Sequence, residues 1–445
     1  MPASRFVRLS AVLVVAACAL PAAAADPEIS HAKPVEARAA AGVDAGIGKI
    51  GVAMSLAVLG DRLYVGGAQG VAALDSAGKL LWMLELPPAA ARQVAADAGG
   101  VAFTSFDVGA VDRTSIAASG LLGGELAAKP DYVNASVGLA DAQGKLLWTV
   151  PSAEQDKLSP PALAGGVVGV VGAKSFVLYD KAGGKPLGEP LSVFNGFAFT
   201  EGLIKQWISR APVVVDDVFH LARSNVYKRV SAAGKELESN RGGMLSPYEY
   251  IPAGPAGGAG RVFFAAAPSG DKKPLLVAAK VGGGVDWDDR MDAAVKTGMF
   301  SSYQGAPMDL AVAGDRVFVA TNFTVFGYTT DGKALWRAIN RGGLVPSALR
   351  GGRYIGNAFE QKTPVPRSYL ANAFLAATGE RVYLASRHTD EASKREDDAL
   401  TVLDAATGQY VETVVLPEQR ILGIAVFGEQ LAVLTSTGLK LLALK

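Results

Sequence analysis

Four aspartates crowd the seven residues DWDDRMD at 286–292: Asp286, Asp288, Asp289 and Asp292. Carboxylates in such a run are what a calcium loop supplies, and the first two spacings match one. The match stops there. The central Gly is missing, and Thr297 stands where a closing bidentate Glu belongs. The stretch reads as a solvated acidic turn. There are three histidines: His31 in a polar N-terminal stretch, His220 in the apolar run VDDVFHLA beside Asp216 and Asp217, and His388 in a charged loop. A metal site would need them to converge over long range, so they read as packed or solvated side chains. No GxSxG elbow is present. Gly46-Ile47-Gly48-Lys49-Ile50-Gly51 fits GxGxxG but has no strand before it and no helix after it. Gly144-Lys145 and Gly332-Lys333 are followed by Leu and Ala, not by the Ser or Thr of a phosphate loop. The expectation is a chain with no catalytic residue, metal or cofactor.

What the sequence repeats is structural. The five residues GKLLW occur at 78–82 and again at 144–148. Around them recurs one grammar: a β-rich run such as RLYVG, a connection, a run such as VAALD, a turn of Asp, Ala and Gly, then a strand reaching Trp. Further copies are RVFVATNFTVFGYTTDGKALW at 316–336 and RVYLASRHTDEASKREDDALTVLDAATGQYVET at 381–413. Weaker ones start at 176, 226 and 275. Period-two alternation with Gly and Asp at the turns marks strands and hairpins. Upstream of most copies lies another apolar run, giving about four strands per unit. Such units repeated around an axis are the blades of a β-propeller. Trp82, Trp148, Trp287 and Trp336 fall at one slot of the outer strand, where a wide flat side chain fills the gap between blades. Gly78, Gly144 and Gly332 supply the turns that aim the Trp after them, and Asp404 with Gly408 frames the fullest turn, LDAATG, which has no Trp.

Seven turn-plus-outer-strand copies are present. The tail, ILGIAVFGEQLAVLTSTGLKLLALK, adds three strands and stops. The N-terminal run around residues 45–52 is the expected fourth strand, closing a ring without exposed end strands. The predicted fold is therefore all-β, a propeller of eight four-stranded blades, or seven by a shorter count. It occupies residues 45–445 as one domain, with 26–44 as a linker.

Residues 1–25 read as an export signal: Arg5 and Arg8, then the apolar LSAVLVVAA, Pro21, and small residues up to a cut near Ala25. A second reading makes Val15-Ala16-Ala17-Cys18 a lipobox, with Cys18 lipidated. Cys18 is the single cysteine, so simple cleavage leaves a mature chain with no disulfide and no thiol chemistry. No other stretch has the roughly 20 apolar residues of a membrane helix. With 50% apolar residues and a net charge of +1, the chain buries a large core and lacks the basic balance of a nucleic-acid binder.

The residues Ala73-Leu74-Asp75, Gly78-Lys79 and Trp82, recurring as Leu139-Ala140-Asp141, Gly144-Lys145 and Trp148, resemble the pyrroloquinoline-quinone-like propeller repeat. So do Leu403-Asp404, Thr407 and Gly408, without the Trp. The resemblance covers nearly the whole mature chain. It implies fold more than function, because the matching residues are structural. Two exported branches of that family differ in what they imply. The quinone-dependent alcohol dehydrogenases imply a longer chain, an adjacent cysteine pair and a calcium beside a catalytic Asp; the cysteine pair is absent here. The propeller lipoproteins of outer-membrane β-barrel assembly imply a scaffold.

Function in such a ring sits in uneven loops. Residues 189–210 carry Trp207, the one Trp outside the blade slot, with Arg210. NRGG recurs at 240–243 and 340–343, placing Arg241 and Arg341 alike. Tyr248, Tyr250, Tyr303, Arg353 and Tyr354 lie nearby. Each NRGG alone reads as a blade-to-blade turn; aromatics with Arg in exposed loops, taken together, suit a protein-binding face. The expected function is thus a non-catalytic protein-binding scaffold with a partner in the cell envelope, periplasmic, soluble or held to the outer membrane by a lipid anchor. The alternatives are a quinone-linked or other small-molecule oxidoreductase using the central mouth, and a carbohydrate- or peptide-binding propeller.

Overall fold

The computed structural model describes residues 28–29, 35–36, 41–42, 47–111, 130–172, 174–193, 210–223, 226–241, 250–267, 273–296, 302–304, 307–321, 324–340, 373–389 and 396–444. Eight antiparallel sheets form eight blades. In chain order they span residues 53–85, 91–151, 162–192, 213–241, 250–290, 307–340, 375–416 and 421–443. Blades 1 to 7 each run as an up-and-down meander from an innermost first strand to an outer fourth strand. Each first strand packs against the first strand of the next blade, and Ile421–Phe427 of blade 8 packs back on Ala53–Leu59 of blade 1, which closes the ring.

Eight apolar clusters hold the ring, one at each joint between neighbours. Strand alternation explains this. The second and third strands of a blade are apolar on both faces, so each is sandwiched between two neighbouring blades. Leu63, Tyr64 and Val65 are all buried, as are Val71, Ala72, Ala73 and Leu74. The fourth strand is the one that meets the surrounding water, and its residues are mostly part-exposed or exposed.

The repeated Trp is a lock between blades. Trp82 Nε1 donates to the carbonyl of Ala142 in blade 2 at 3.1 Å, and Trp148 Nε1 to Lys181 of blade 3 at 2.8 Å. Trp287 reaches Thr330 of blade 6, and Trp336 reaches Ala405 of blade 7, both at 3.0 Å. Each indole lies flat on the turn glycine of the blade it reaches. A Cβ on Gly144, Gly184, Gly332 or Gly408 would stand 2.4, 2.6, 2.9 or 2.4 Å from the ring. These glycines therefore do more than turn the chain within their own blade. They leave a bare floor for the Trp of the preceding blade, at left-handed φ values of 70–98°. The opening Asp shapes the same turn: Asp404 Oδ1 accepts from the backbone N–H groups of Ala406 and Thr407 and from the Thr407 hydroxyl.

The blade 4–blade 5 joint uses a different device. Four residues after its turn glycine, blade 4 has Glu238 where blades 1, 2, 5 and 6 have Trp. Arg229, opposite Glu238 in the ladder, lays its guanidinium over Gly283 and donates to the carbonyls of Gly282 and Val281 at 3.0 and 2.5 Å. Glu238 accepts from Arg229 and from the Gly284 N–H. A planar cation thus replaces the indole. Blade 7 has Glu412 in the slot, and its neighbour, blade 8, has no continuous turn on which an indole could rest.

Three findings correct the sequence reading. The closing strand of blade 8 is Ala41–Gly42, antiparallel to Gly438–Ala443, while Ile47–Ile50 forms a 3-10 turn. The stretch read as a linker also pairs twice more: Glu28–Ile29 runs parallel to Ala334–Asn340 of blade 6, and Val35–Glu36 parallel to Tyr410–Leu416 of blade 7. The acidic run at 286–292 is not a turn. Val285–Arg290 is the outer strand of blade 5, and its carboxylates are spread over separate partners: Asp286 on Arg261, Asp289 on the Tyr328 hydroxyl, and Asp292 on Lys273.

Candidate binding face

The meander fixes which loops share a face. Antiparallel strands put the connections between second and third strands, and those from a fourth strand to the next blade, at one end of the ring. The other two kinds of turn lie at the opposite end. That opposite end is built of tight turns with left-handed residues such as Gly60, Gly165, Asp216, Asp217, Gly260, Gly314 and Gly428. The long connections between consecutive strands leave from and return to the first end: residues 43–52, 112–129, 152–161, 193–212, 242–249, 268–274, 291–306, 341–374 and 390–395. Loops of two topological kinds, separated by hundreds of residues, therefore share one face.

The candidate residues distribute as follows. Arg241 ends the outer strand of blade 4 opposite Val226, Tyr250 opens blade 5 opposite Ala267, and Tyr303 faces Val295 in a short hairpin between blades 5 and 6. All three backbone positions are at the long-loop end. Trp207, Tyr248, Arg341, Arg353 and Tyr354 lie outside the described residues, as do Cys18 and the signal segment. Arg210 is a correction. It is not an exposed loop arginine: its side chain is mostly buried, Nη2 donates to the Met308 carbonyl at 3.0 Å, and Nη1 lies 3.7 Å from Asp309 Oδ1. It ties the entry of blade 4 to the first strand of blade 6.

Asp309 belongs to a set of polar side chains on the inner three strands that bond from one blade to the next. Buried, it accepts from the N–H groups of Phe374 and Leu375, where blade 7 begins, at 2.6 and 3.0 Å. Ser55 holds the matching register position in blade 1 and donates to the Arg92 carbonyl of blade 2. Gln93 donates to the Leu158 carbonyl and Thr104 to that of Ser159, both in the connection that leads into blade 3. Asp398 accepts from Ile421 N–H and Arg420, from blade 7 into blade 8. Arg92 donates to Gly67, Ala68 and Pro87. Burial lowers its pKa to about 10, partly offset by Asp107, so it stays cationic at neutral pH. These residues brace the mouth through backbone groups. The sequence signal was present: a lone polar or charged residue early in an apolar run, as in PMDLAVA and ARQVAAD.

Titrating groups elsewhere serve packing. His220 is fully buried in blade 4 with Nδ1 2.8 Å from the Tyr227 hydroxyl. Burial, with Arg229 nearby, lowers its pKa to about 4, so it is neutral at physiological pH. Among the described residues no three His, Cys, Asp or Glu side chains form a metal-binding group. Also among them, no helix is long and apolar enough to cross a membrane. Where blades 8 and 1 meet, a cavity of about 460 Å³ opens between Ile47, Gly48 and Gly51 on one side and Ser436, Thr437 and Lys440 on the other.

These features define an eight-bladed β-propeller with one elaborated face. No known family profile matches the sequence, and no curated protein does. Solved structures match the fold. The computationally designed protein Ika8 is 15% identical over 88% of this chain and 96% of its own, with a TM-score of 0.53. BamB from Moraxella catarrhalis is 13% identical over 87% of this chain and 92% of its own, with a TM-score of 0.54. The chain is BamB-like in architecture.

Proposed function

We propose that this chain is an exported, non-catalytic scaffold that binds a protein partner in the cell envelope through its long-loop face. The single observation that carries the reading is the gathering of every long connection on one end of a ring whose other end has only tight turns. A rigid ring supporting variable loops suits recognition. The shared architecture with BamB supports the assignment to the envelope, as do the signal-like N-terminus and the lipobox-like Val15-Ala16-Ala17-Cys18. On this reading Trp207, Arg241, Tyr248, Tyr250, Tyr303, Arg341, Arg353 and Tyr354 are the contact set. Arg210 braces the mouth beneath them.

The test is photo-crosslinking in the native host, with the probe at 207, 241 or 341 and control probes at Asp61 and Gln143 on the tight-turn face. The expected result is a discrete envelope protein captured from the loop positions alone. Equal capture from both faces, or none from an abundant folded protein, overturns the reading.

A further inference from the structure

The outer wall of the ring carries eight fourth strands, and an uncovered edge strand invites another strand to pair with it. The chain guards most of these edges. In blade 3, Pro186 and Pro190 cannot donate to a ladder, and Gly188 adopts a left-handed φ. In blade 4 the edge carries Glu236, Glu238 and Arg241, and in blade 5 it carries Asp286, Asp288, Asp289 and Arg290. Blades 6 and 7 are covered by the chain's own Glu28–Ile29 and Val35–Glu36, and blade 8 ends in the two-residue strand Ala41–Gly42.

Among the described residues, blades 1 and 2 carry no covering segment and no charge run, and their one proline, Pro151, stands at the very end of its strand. Their outer strands are Leu80–Glu85, LLWMLE, and Leu146–Pro151, LLWTVP. The only charge is the terminal Glu85. Leu81 is 45% and Leu147 49% exposed. Among the described residues nothing pairs with either edge. The two follow directly in the ring after blades 6, 7 and 8, whose edges already hold an extended segment.

We propose that the outer edges of blades 1 and 2 are docking sites for an extended, uncharged, aliphatic-rich strand of a partner protein, added to the sheet edge by backbone pairing. The chain's own N-terminal segment is the precedent: two-residue stretches bearing Ile29 and Val35 pair with complete four-stranded blades that do not need them to close. Backbone N–H and C=O groups give the attraction, and the exposed leucines select apolar side chains. Within the two edge strands an acidic strand finds no counter-charge, and a basic one only the terminal Glu85. This surface lies on the wall of the ring, apart from the long-loop face, and does not depend on it.

The probe is an acetylated, amidated octapeptide alternating Val and Thr, with a polyethylene glycol tail for solubility. It is added to the full chain while backbone hydrogen exchange is followed by mass spectrometry. Slowed exchange across 80–85 and 146–151 is expected, with no change across 236–241 or 285–290. The same peptide with alternate backbone nitrogens methylated loses the effect, since it cannot pair. The variant L81K/L147K, whose substitutions are exposed and whose fold is checked by circular dichroism, loses it too. No slowing at either edge overturns the proposal. So does slowing that survives N-methylation, which is adsorption. Self-association through these edges without peptide makes the occupant a second copy and equally overturns it. The crosslinking experiment on the loop face stands or falls separately.

Discussion

The Trp–Gly lock between blades 2 and 3 makes a quantitative prediction. Trp148 is nearly buried, donates to Lys181 and rests on Gly184, where an added Cβ would lie 2.6 Å from the ring. Trp148→Ala removes a large buried ring and one hydrogen bond, an expected loss of ~3–5 kcal/mol. Gly184→Ala has two penalties. Its φ of 70° is left-handed, worth ~1–2 kcal/mol for a residue with a Cβ. The methyl against the indole adds ~1–3 kcal/mol of overpacking. In the double variant the ring is gone, so the overpacking vanishes and only the backbone strain remains. The two single losses must then exceed the double loss by ~1–3 kcal/mol. Urea unfolding followed by far-ultraviolet circular dichroism measures all four proteins without relying on the deleted fluorophore. A coupling below about 0.5 kcal/mol, the level at which independent sites add, would refute the idea that the glycine is kept bare for the neighbouring Trp.

At the joint between blades 4 and 5, Arg229→Ala strands Glu238 and loses ~2–4 kcal/mol, whereas Arg229→Ala with Glu238→Trp installs the indole lock over Gly283 and recovers most of it in a thermal melt. Asp309→Ala leaves two backbone N–H groups without their acceptor and removes the carboxylate beside Arg210, lowering stability by ~2–4 kcal/mol, with Asp309→Asn losing less, both read by urea midpoints. His220 has a folded pKa of about 4 against an ordinary 6.5. Between those values the unfolded chain binds more protons, so the wild type should lose up to roughly 3 kcal/mol as pH falls from 6.5 to 4, a slope His220→Gln abolishes. Deleting residues 1–40 should leave exchange across Gly438–Ala443 slow, whereas deletion through residue 42 should open it, because Ala41–Gly42 is the strand that covers that edge.

Most of the fold was legible because its grammar is local. The Asp-Ala-Gly turns and the period-two runs report on contacts within one hairpin, and Trp recurs four residues past the turn glycine in four blades. Blade count followed from counting turns. What the sequence obscured was long-range. Ala41–Gly42 has no strand propensity of its own and pairs only because blade 8 lacks a fourth strand. DWDDRMD looked like a turn by composition, yet its position after Gly283 and Gly284 made it an outer strand. Arg210 looked like a surface arginine because its partner, Asp309, is about 100 residues away and on another blade. The candidate face was legible as uneven loop lengths, but its unity was not. Residues 112–129 and 390–395 lie inside blades and the other long loops between them, and strand parity brings both kinds to one end.

Closure by Ala41–Gly42 on Gly438–Ala443 also sets the order in which the ring can form. The paired residues are about 400 positions apart. Joining them from an unfolded chain would carry a loop-closure penalty of about 5 kcal/mol. Joining them after the intervening blades have stacked carries little, because the stacked blades already return the chain to its start. Closure is therefore expected last, after the C-terminal strands exist. A chain emerging N-terminus first holds its opening strand in waiting until synthesis is nearly complete. Removing the strand Gly438–Ala443 should therefore leave an open arc of otherwise well-formed blades, and linking residue 443 to residue 41 while cutting elsewhere should change the rate of assembly far more than its end point.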